Sequence, residues 1–248
     1  MVELKNDSEI KRIHESCRMV AEVLRKLKEM VKPGIRTSDL DAEAVRMTSA
    51  FGARPAFLKY RGFPASVCVS INEEVVHGIP SPKRKICEGD LVSIDFGVEY
   101  KGFYGDAAIT VAAGKISPVA KKLMETTEAA LLAGIEKARP GNKLHDISAA
   151  VQRTVESAGF SVVRDFVGHG IGRKMHEDPM VPNYGEAGTG IRLEEGMVLA
   201  IEPMVNEKNW EIRILEDEWT VVTKDRGLSA HFEHTVAIKR DGPVVLSL

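Results

Sequence analysis

The chain repeats itself. Shifted by 107 residues, its first half falls on its second: Pro33-Gly34 meets Pro140-Gly141, Asp39-Leu40 meets Asp146-Ile147, and Gly52 meets Gly159. The same shift lays Glu88-Gly89-Asp90-Leu91-Val92-Ser93-Ile94-Asp95 on Glu195-Gly196-Met197-Val198-Leu199-Ala200-Ile201-Glu202. His77-Gly78-Ile79 meets His169-Gly170-Ile171 at a shift of 92, a difference that unequal loops absorb. A period this long lies outside the roughly 20–50 residues of solenoid repeats. It describes two similar α/β halves facing each other, whose equivalent positions converge on the axis between them. Chance agreement of helix stops and apolar strands is the alternative. Against chance, each half delivers a His-Gly-Ile and then an acid set among apolar residues.

Local patterning fills in the halves. Ile10, Ile13, Val20, Val23, Leu24, Leu27 and Val31 recur at helical spacing and predict a helix over about 8–31, capped by Asp7 or Ser8 and stopped by Pro33-Gly34. A second helix is expected over 38–51. Apolar runs bounded by turn residues predict strands over 67–71, 91–98 and 103–111. The pattern restarts with helices over 118–138 and 144–158, followed by more strands. The expected organisation is one domain over 1–248 with an internal pseudo-repeat, about 8–111 and 117–239.

Composition narrows the class. Hydrophobic residues make up 44% and charged residues 28%, and 34 basic against 36 acidic side chains leave a net charge of −2. With no long run of either sign, neither nucleic acid nor membrane is expected as a partner. No stretch approaches the roughly 20 apolar residues of a membrane span, and the first residues lack a signal-peptide core. Cys17, Cys68 and Cys87 are an odd set without a CxxC pair. They fit a reducing compartment, and the cytoplasm is the expected location.

The chemistry lies in acids placed where strands are built to be buried. Asp95 ends Leu91-Val92-Ser93-Ile94, and Asp106 follows eleven residues on; a central turn near Tyr100-Lys101 would set the two face to face across a hairpin. Glu202 repeats the situation after Val198-Leu199-Ala200-Ile201, and Glu233 does so beside His231 and His234. One such carboxylate is ordinarily outward-facing or salt-bridged. Four together, each flanked by apolar residues, repel unless they share protons or bind cations, which favours a shared metal site. His169 in Gly168-His169-Gly170-Ile171-Gly172 adds a nitrogen donor. One imidazole with four carboxylates is an oxygen-rich set suited to a pair of divalent ions such as Mn, Co, Fe or Zn. The glycines lack the GxGxxG spacing and setting of a dinucleotide site, and neither HExxH nor GxSxG occurs. His14 and His145, on expected helices, are taken as bystanders.

A resemblance sharpens this reading. The set Val76-His77-Gly78-Ile79-Pro80, Ile94-Asp95, Gly105-Asp106, Gly168-His169-Gly170-Ile171-Gly172, His176-Glu177, Ile201-Glu202-Pro203 and Phe232-Glu233-His234-Thr235 resembles type I methionine aminopeptidase in order and spacing over essentially the whole chain. The resemblance implies the α/β pita-bread fold, two pseudo-symmetric halves around a curved antiparallel sheet. It also implies that Asp95, Asp106, His169, Glu202 and Glu233 hold two divalent metal ions, with Asp106 and Glu233 bridging. His77 and His176 match the family's two substrate-side histidines, and Glu202 doubles as the group that moves the proton of the attacking water. Phe57, Tyr60, Phe63, Cys68, Met175 and Trp219 match the walls of the methionine pocket. The implied reaction is removal of an N-terminal initiator methionine from a nascent chain when the second residue is small, by attack of metal-activated water on the first peptide bond.

Departures and rivals frame the expectation. Phe57 stands where the bacterial family commonly has a cysteine, Met175 where it has a phenylalanine, and Phe63 where a tyrosine is common. The first two roughly exchange bulk between two pocket walls. An Xaa-Pro peptidase of the same fold uses a similar ligand set but usually carries an extra N-terminal domain. A metal-free binding protein of the same fold is the rival from another class, and the intact ligand set opposes it. Nascent N-termini are the implied partners, and a monomer is expected. The short run Lys83-Arg84-Lys85 is the only local hint of a ribosome contact, and a run this short is usually a solvated loop.

Overall fold

The structure, a computed structural model, describes residues 2–248. Helices α1 (Asp7–Met30) and α2 (Thr37–Ala50) are followed by strands β1 (Arg54–Pro55), β2 (Cys68–Ile71), β3 (Glu74–Val76), β4 (Leu91–Tyr100) and β5 (Phe103–Ala112). Helices α3 (Pro118–Lys137) and α4 (Leu144–Ser157) open the second half. Strands β6 (Ser161–Val162), β7 (Gly168–Gly170), β8 (Glu177–Val181), β9 (Val198–Ile201) and β10 (Met204–Asn206) come next. The chain closes with β11 (Ile212–Ile214), β12 (Val221–Thr223), β13 (Ser229–His231), β14 (Glu233–Lys239) and β15 (Gly242–Val245).

The 107-residue shift maps α2 onto α4, β1 onto β6 and the start of β4 onto that of β9. It also maps hydrogen bonds. Gly34 N donates to Ile86 O at 2.8 Å, and Gly141 N to Leu193 O at 2.9 Å. The isolated bridges Arg36 to Lys85 and Lys143 to Arg192 are likewise equivalent. Two helix pairs therefore leave their strands in the same way.

Helix α1 begins one residue before the expected caps. Asn6 Oδ1 accepts from Glu9 N and Glu9 Oε2 accepts from Asn6 N, both at 3.0 Å, a reciprocal pairing that satisfies two free N–H groups. Its buried stripe of Ile13, Cys17, Val20, Val23, Leu24 and Leu27 lies against β4 and β5. Each Val or Leu so buried contributes about 1.5–3 kcal/mol. Helix α3 starts at Ser117, whose Oγ accepts from Ala120 N, with Pro118 in the first turn where its missing N–H costs nothing. Among the described residues, no helix is long and apolar enough to cross a membrane.

Nine strands form the central antiparallel sheet, in the order β1-β4-β5-β14-β9-β7-β8, with β2 on β4 and β15 on β14. The two halves meet where β5 pairs with β14. The sheet curves, and one of its faces carries the site.

One local expectation needs correction. Asp95 and Asp106 are not directly opposite: Asp95 pairs with Ala108, and Asp106 with Gly97. The turn is Lys101-Gly102, centred later than the sequence suggested, with φ of 51° and 80°. A two-residue hairpin of this hand needs positive φ at both central positions, which Gly102 accepts freely. Because the register moves by two residues, both acids stay on one face as diagonal neighbours.

Candidate metal centre and substrate cavity

Cross-strand rows assemble the donors. Cys68, Asp95, Ala108 and Glu233 follow one another across β2, β4, β5 and β14. Two positions along, on the same face, Asp106 lies beside Gly97 and His169 beside Ala200. Glu202 directly follows β9, and the register of His234 with Ile201 carries it toward Glu233 before Pro203 ends the ladder. Ala108, Gly97 and Ala200 keep the space between the large polar side chains open.

Donor atoms of Asp106, His169 and Glu233 lie within 4.8 Å of one another, and all three residues are buried. His169 Nε2 is 3.5 Å from Glu202 Oε1. Asp95 Oδ1, Asp106 Oδ1 and Glu233 Oε1 are buried without a hydrogen-bond partner among the described residues. Leaving such atoms unsatisfied is costly, and a cation is the partner that oxygen donors in this number fit. Burial holds the carboxyls of Asp95, Asp106, Glu202 and Glu233 above the usual range. Neighbouring carboxylates push Asp106 and Glu233 further in the same direction, and Asp95 does so to Glu202. A divalent ion reverses that repulsion.

His169 is set up to donate a lone pair. Its Nδ1 lies 2.9 Å from Gly170 O, and a carbonyl can only accept, so Nδ1 carries the proton. Nε2 is then the unprotonated nitrogen, directed at the carboxylate cluster. Burial lowers the His169 pKa to about 4, which keeps the ring neutral.

All thirteen residues singled out from the sequence line one cavity of about 140 Å³, together with Arg61. Asp95, Asp106, His169, Glu202 and Glu233 form its polar end. Phe57, Phe63, Cys68 and Met175 are buried in one apolar cluster flanked by Tyr60 and Trp219. Phe63 meets Trp219 edge-on at 5.2 Å between ring centroids. His77 and His176 stand between the two ends. His77 follows β3 at φ 60°, a backbone conformation uncommon outside glycine, and packs edge-on against Phe166 and Trp219. Burial lowers its pKa to about 4. His176, exposed at the rim, stacks on Tyr60 at 5.3 Å, with its Nδ1 2.9 Å from the Tyr60 hydroxyl. Desolvation, and then the charges of His169, Arg61 and His77, hold it below the usual imidazole range.

Two residues at the site were given no role from the sequence: His231, named only as a neighbour of Glu233, and Arg61. His231 is buried, with Nε2 3.7 Å from Glu202 Oε2 and no hydrogen-bond partner. Its place two residues before Glu233 was the available signal. Arg61 adjoins Tyr60 at φ 50°, and only the fold brings it to the cavity.

The profile of metallopeptidase family M24 matches residues 11–240. Methionine aminopeptidase of Clostridium acetobutylicum is 51% identical over 248 residues, covering all of this chain and 99% of the relative. The chain belongs to the methionine aminopeptidases of family M24. Methionine aminopeptidase 1 of Bacillus subtilis is 48% identical over 247 residues, with 100% and 99% coverage. The crystal structure of methionine aminopeptidase from Thermotoga maritima superposes with a TM-score of 0.98 at 44% identity, covering 100% of this chain and 99% of that one. The family's pita-bread fold is the one described above. Prolidase from Pyrococcus horikoshii shares that fold alone, at 24% identity and a TM-score of 0.79, and the chain covers 63% of its length.

Proposed function

We propose that this chain removes the initiator methionine from nascent proteins whose second residue is small, using two divalent ions held by Asp95, Asp106, His169, Glu202 and Glu233. The observation that carries the reading is the convergence of these five donors, several with unpartnered buried oxygens, on one end of a cavity walled elsewhere by aromatic and sulfur side chains. Asp106 and Glu233 are assigned the bridging positions, and the ions are Mn, Co, Fe or Zn. Bound divalent ions supply the Lewis acid that acidifies water and polarises a carbonyl.

The chain's own groups supply the rest. Phe57, Tyr60, Phe63, Cys68, Met175 and Trp219 take the methionine side chain, whose polarizable thioether suits aromatic and sulfur walls. That places the first peptide bond beside His77 and His176. Neutral at pH 7, each offers one N–H, to the scissile carbonyl oxygen as it gains charge or to the amide nitrogen. Tyr60 holds the His176 ring in place through its hydroxyl. Glu202, a carboxylate once cations offset the neighbouring acids, accepts a proton from water and delivers it to the leaving amine. Closed walls around the first residue confine the reaction to the terminal one. The same reading places the enzyme in the cytoplasm, acting as a monomer on N-termini as they leave the ribosome.

The test is kcat/KM across peptides varied at the first and then the second position, after metal depletion and after adding back each ion. Met-Ala-Ser is expected to lead, norleucine to be tolerated, and leucine to be poorer by about 1–3 kcal/mol in transition-state binding. Gly, Ala and Ser are expected at the second position, with Val slower. If Leu-Ala or Ala-Pro peptides outran Met-Ala, the assignment would fail.

A further inference from the structure

A second cavity, of about 630 Å³, adjoins the first: Arg61, His169 and His176 line both. It runs on past Lys174, Glu177 and Met180, the last 70% exposed. Its charges are unevenly occupied. Glu177 is bonded to buried Lys5 at 2.7 Å and accepts from Lys174 N at 3.0 Å. Glu3 lies 3.4 Å from the same lysine, and Asp178 is also engaged. Arg61 and Lys174, both exposed, form no ion pair among the described residues; the Arg61 guanidinium rests 5.5 Å over the Tyr60 ring. The groove's acids are thus partnered while two of its cations face solvent.

We infer that this groove receives the substrate residues beyond the scissile bond, and that Arg61 and Lys174 favour an acidic side chain at the third residue. The inference rests on the aminopeptidase reading of the first cavity. With methionine among the apolar walls and the first peptide bond beside His169 and His176, the chain must leave on the open side, where these histidines form a shared wall. The second residue stays at that wall. The third is the first whose side chain reaches past it, and Arg61, common to both cavities, stands at that boundary. Lys174 lines only the outer groove and adds a second positive charge. An exposed ion pair contributes modestly, so the two together are expected to give a preference of about five- to tenfold.

The experiment measures kcat/KM for Met-Ala-Asp-Phe, Met-Ala-Ser-Phe and Met-Ala-Lys-Phe with the metal-loaded enzyme. The expected order is Asp, then Ser, then Lys, carried mainly by KM, with the Asp-to-Lys ratio shrinking in about 0.5 M salt as the charges are screened. In R61A/K174A the ratio should approach one, Arg61→Glu should reverse it, and Arg61→Lys should retain most of it. A merely structural role for Arg61 would lower all three peptides together and leave the ratio unchanged. An unchanged ratio in R61A/K174A, or equal rates for the three peptides with the wild-type enzyme, overturns the inference. Failure of every Met-Ala peptide would instead count against the aminopeptidase reading.

Discussion

Gly97 is the cross-strand neighbour of Asp106, and a Cβ at Gly97 would lie 3.0 Å from both Met175 Cε and Phe57 Cε1. One glycine therefore joins the polar end of the cavity to its apolar end, the proposed methionine pocket. Phe57 and Met175, which the resemblance sets where the family commonly has cysteine and phenylalanine, press on the same point from two sides. An exchange that roughly conserves total volume alters the pocket's shape more than its size.

Gly97→Ala is accordingly expected to narrow the pocket. If overpacking of about 1–3 kcal/mol falls on the bound substrate, kcat/KM for Met-Ala-Ser drops by about five- to 150-fold. Metal content should be retained, and Met175→Ala added to the variant should recover part of the loss. Wild-type kinetics in Gly97→Ala would show that the pocket lies elsewhere.

Removing either carboxylate proposed to bridge the ions should empty the centre. Asp106→Ala and Glu233→Ala are each expected to abolish peptidase activity and to lower bound metal, measured by elemental analysis after gel filtration. Full activity of Asp106→Ala in metal-depleted buffer contradicts the two-ion assignment.

The proposed function has His176 act on substrate. His176→Ala should cut kcat by about 10²-fold, the usual effect of losing one preorganised donor, while bound metal stays near the wild-type level. Loss of metal in this variant would make His176 a ligand instead.

His231 lies next to Glu202, with 3.7 Å between its Nε2 and Glu202 Oε2, and is expected to orient that carboxylate. Groups that orient a ligand typically change metal affinity about 10–100-fold when removed. His231→Ala is expected to weaken divalent-ion binding by that amount in a calorimetric titration. Unchanged affinity would assign His231 to packing alone.

Asp146 couples stability to pH away from the site. Its carboxylate accepts from Lys143 N and Gly188 N, both at 2.7 Å, and these bonds lower its pKa. A depressed folded-state pKa contributes stability above the unfolded value of about 3.9 and loses it as pH falls through the folded one. Asp146→Asn should lower Tm at pH 7 by about 2–4 °C, with the gap closing as pH falls through the lowered pKa of Asp146. A gap that persisted in acid would trace the effect to shape, not charge.

Much of this molecule is written locally. Helical spacing in Ile13, Val20, Leu24 and Leu27 marks α1, Pro33-Gly34 and Pro140-Gly141 stop the two long helices, and the 107-residue shift foretells equivalent elements down to single hydrogen bonds. The acid-bearing strands were legible for the same reason, since an Asp or Glu in a buried apolar run is conspicuous in one dimension. Register was not. Asp95 and Asp106 came out diagonal because the hairpin turn fell at Lys101-Gly102, a choice set by backbone φ. Nor could sequence place Arg61 at the boundary of two cavities, His231 next to Glu202, or Gly170 O against His169 Nδ1. Periodicity and caps are short-range properties that a sequence carries in its spacing. Which side chains share a space depends on how strands a hundred residues apart pair and curve, and packing alone decides that.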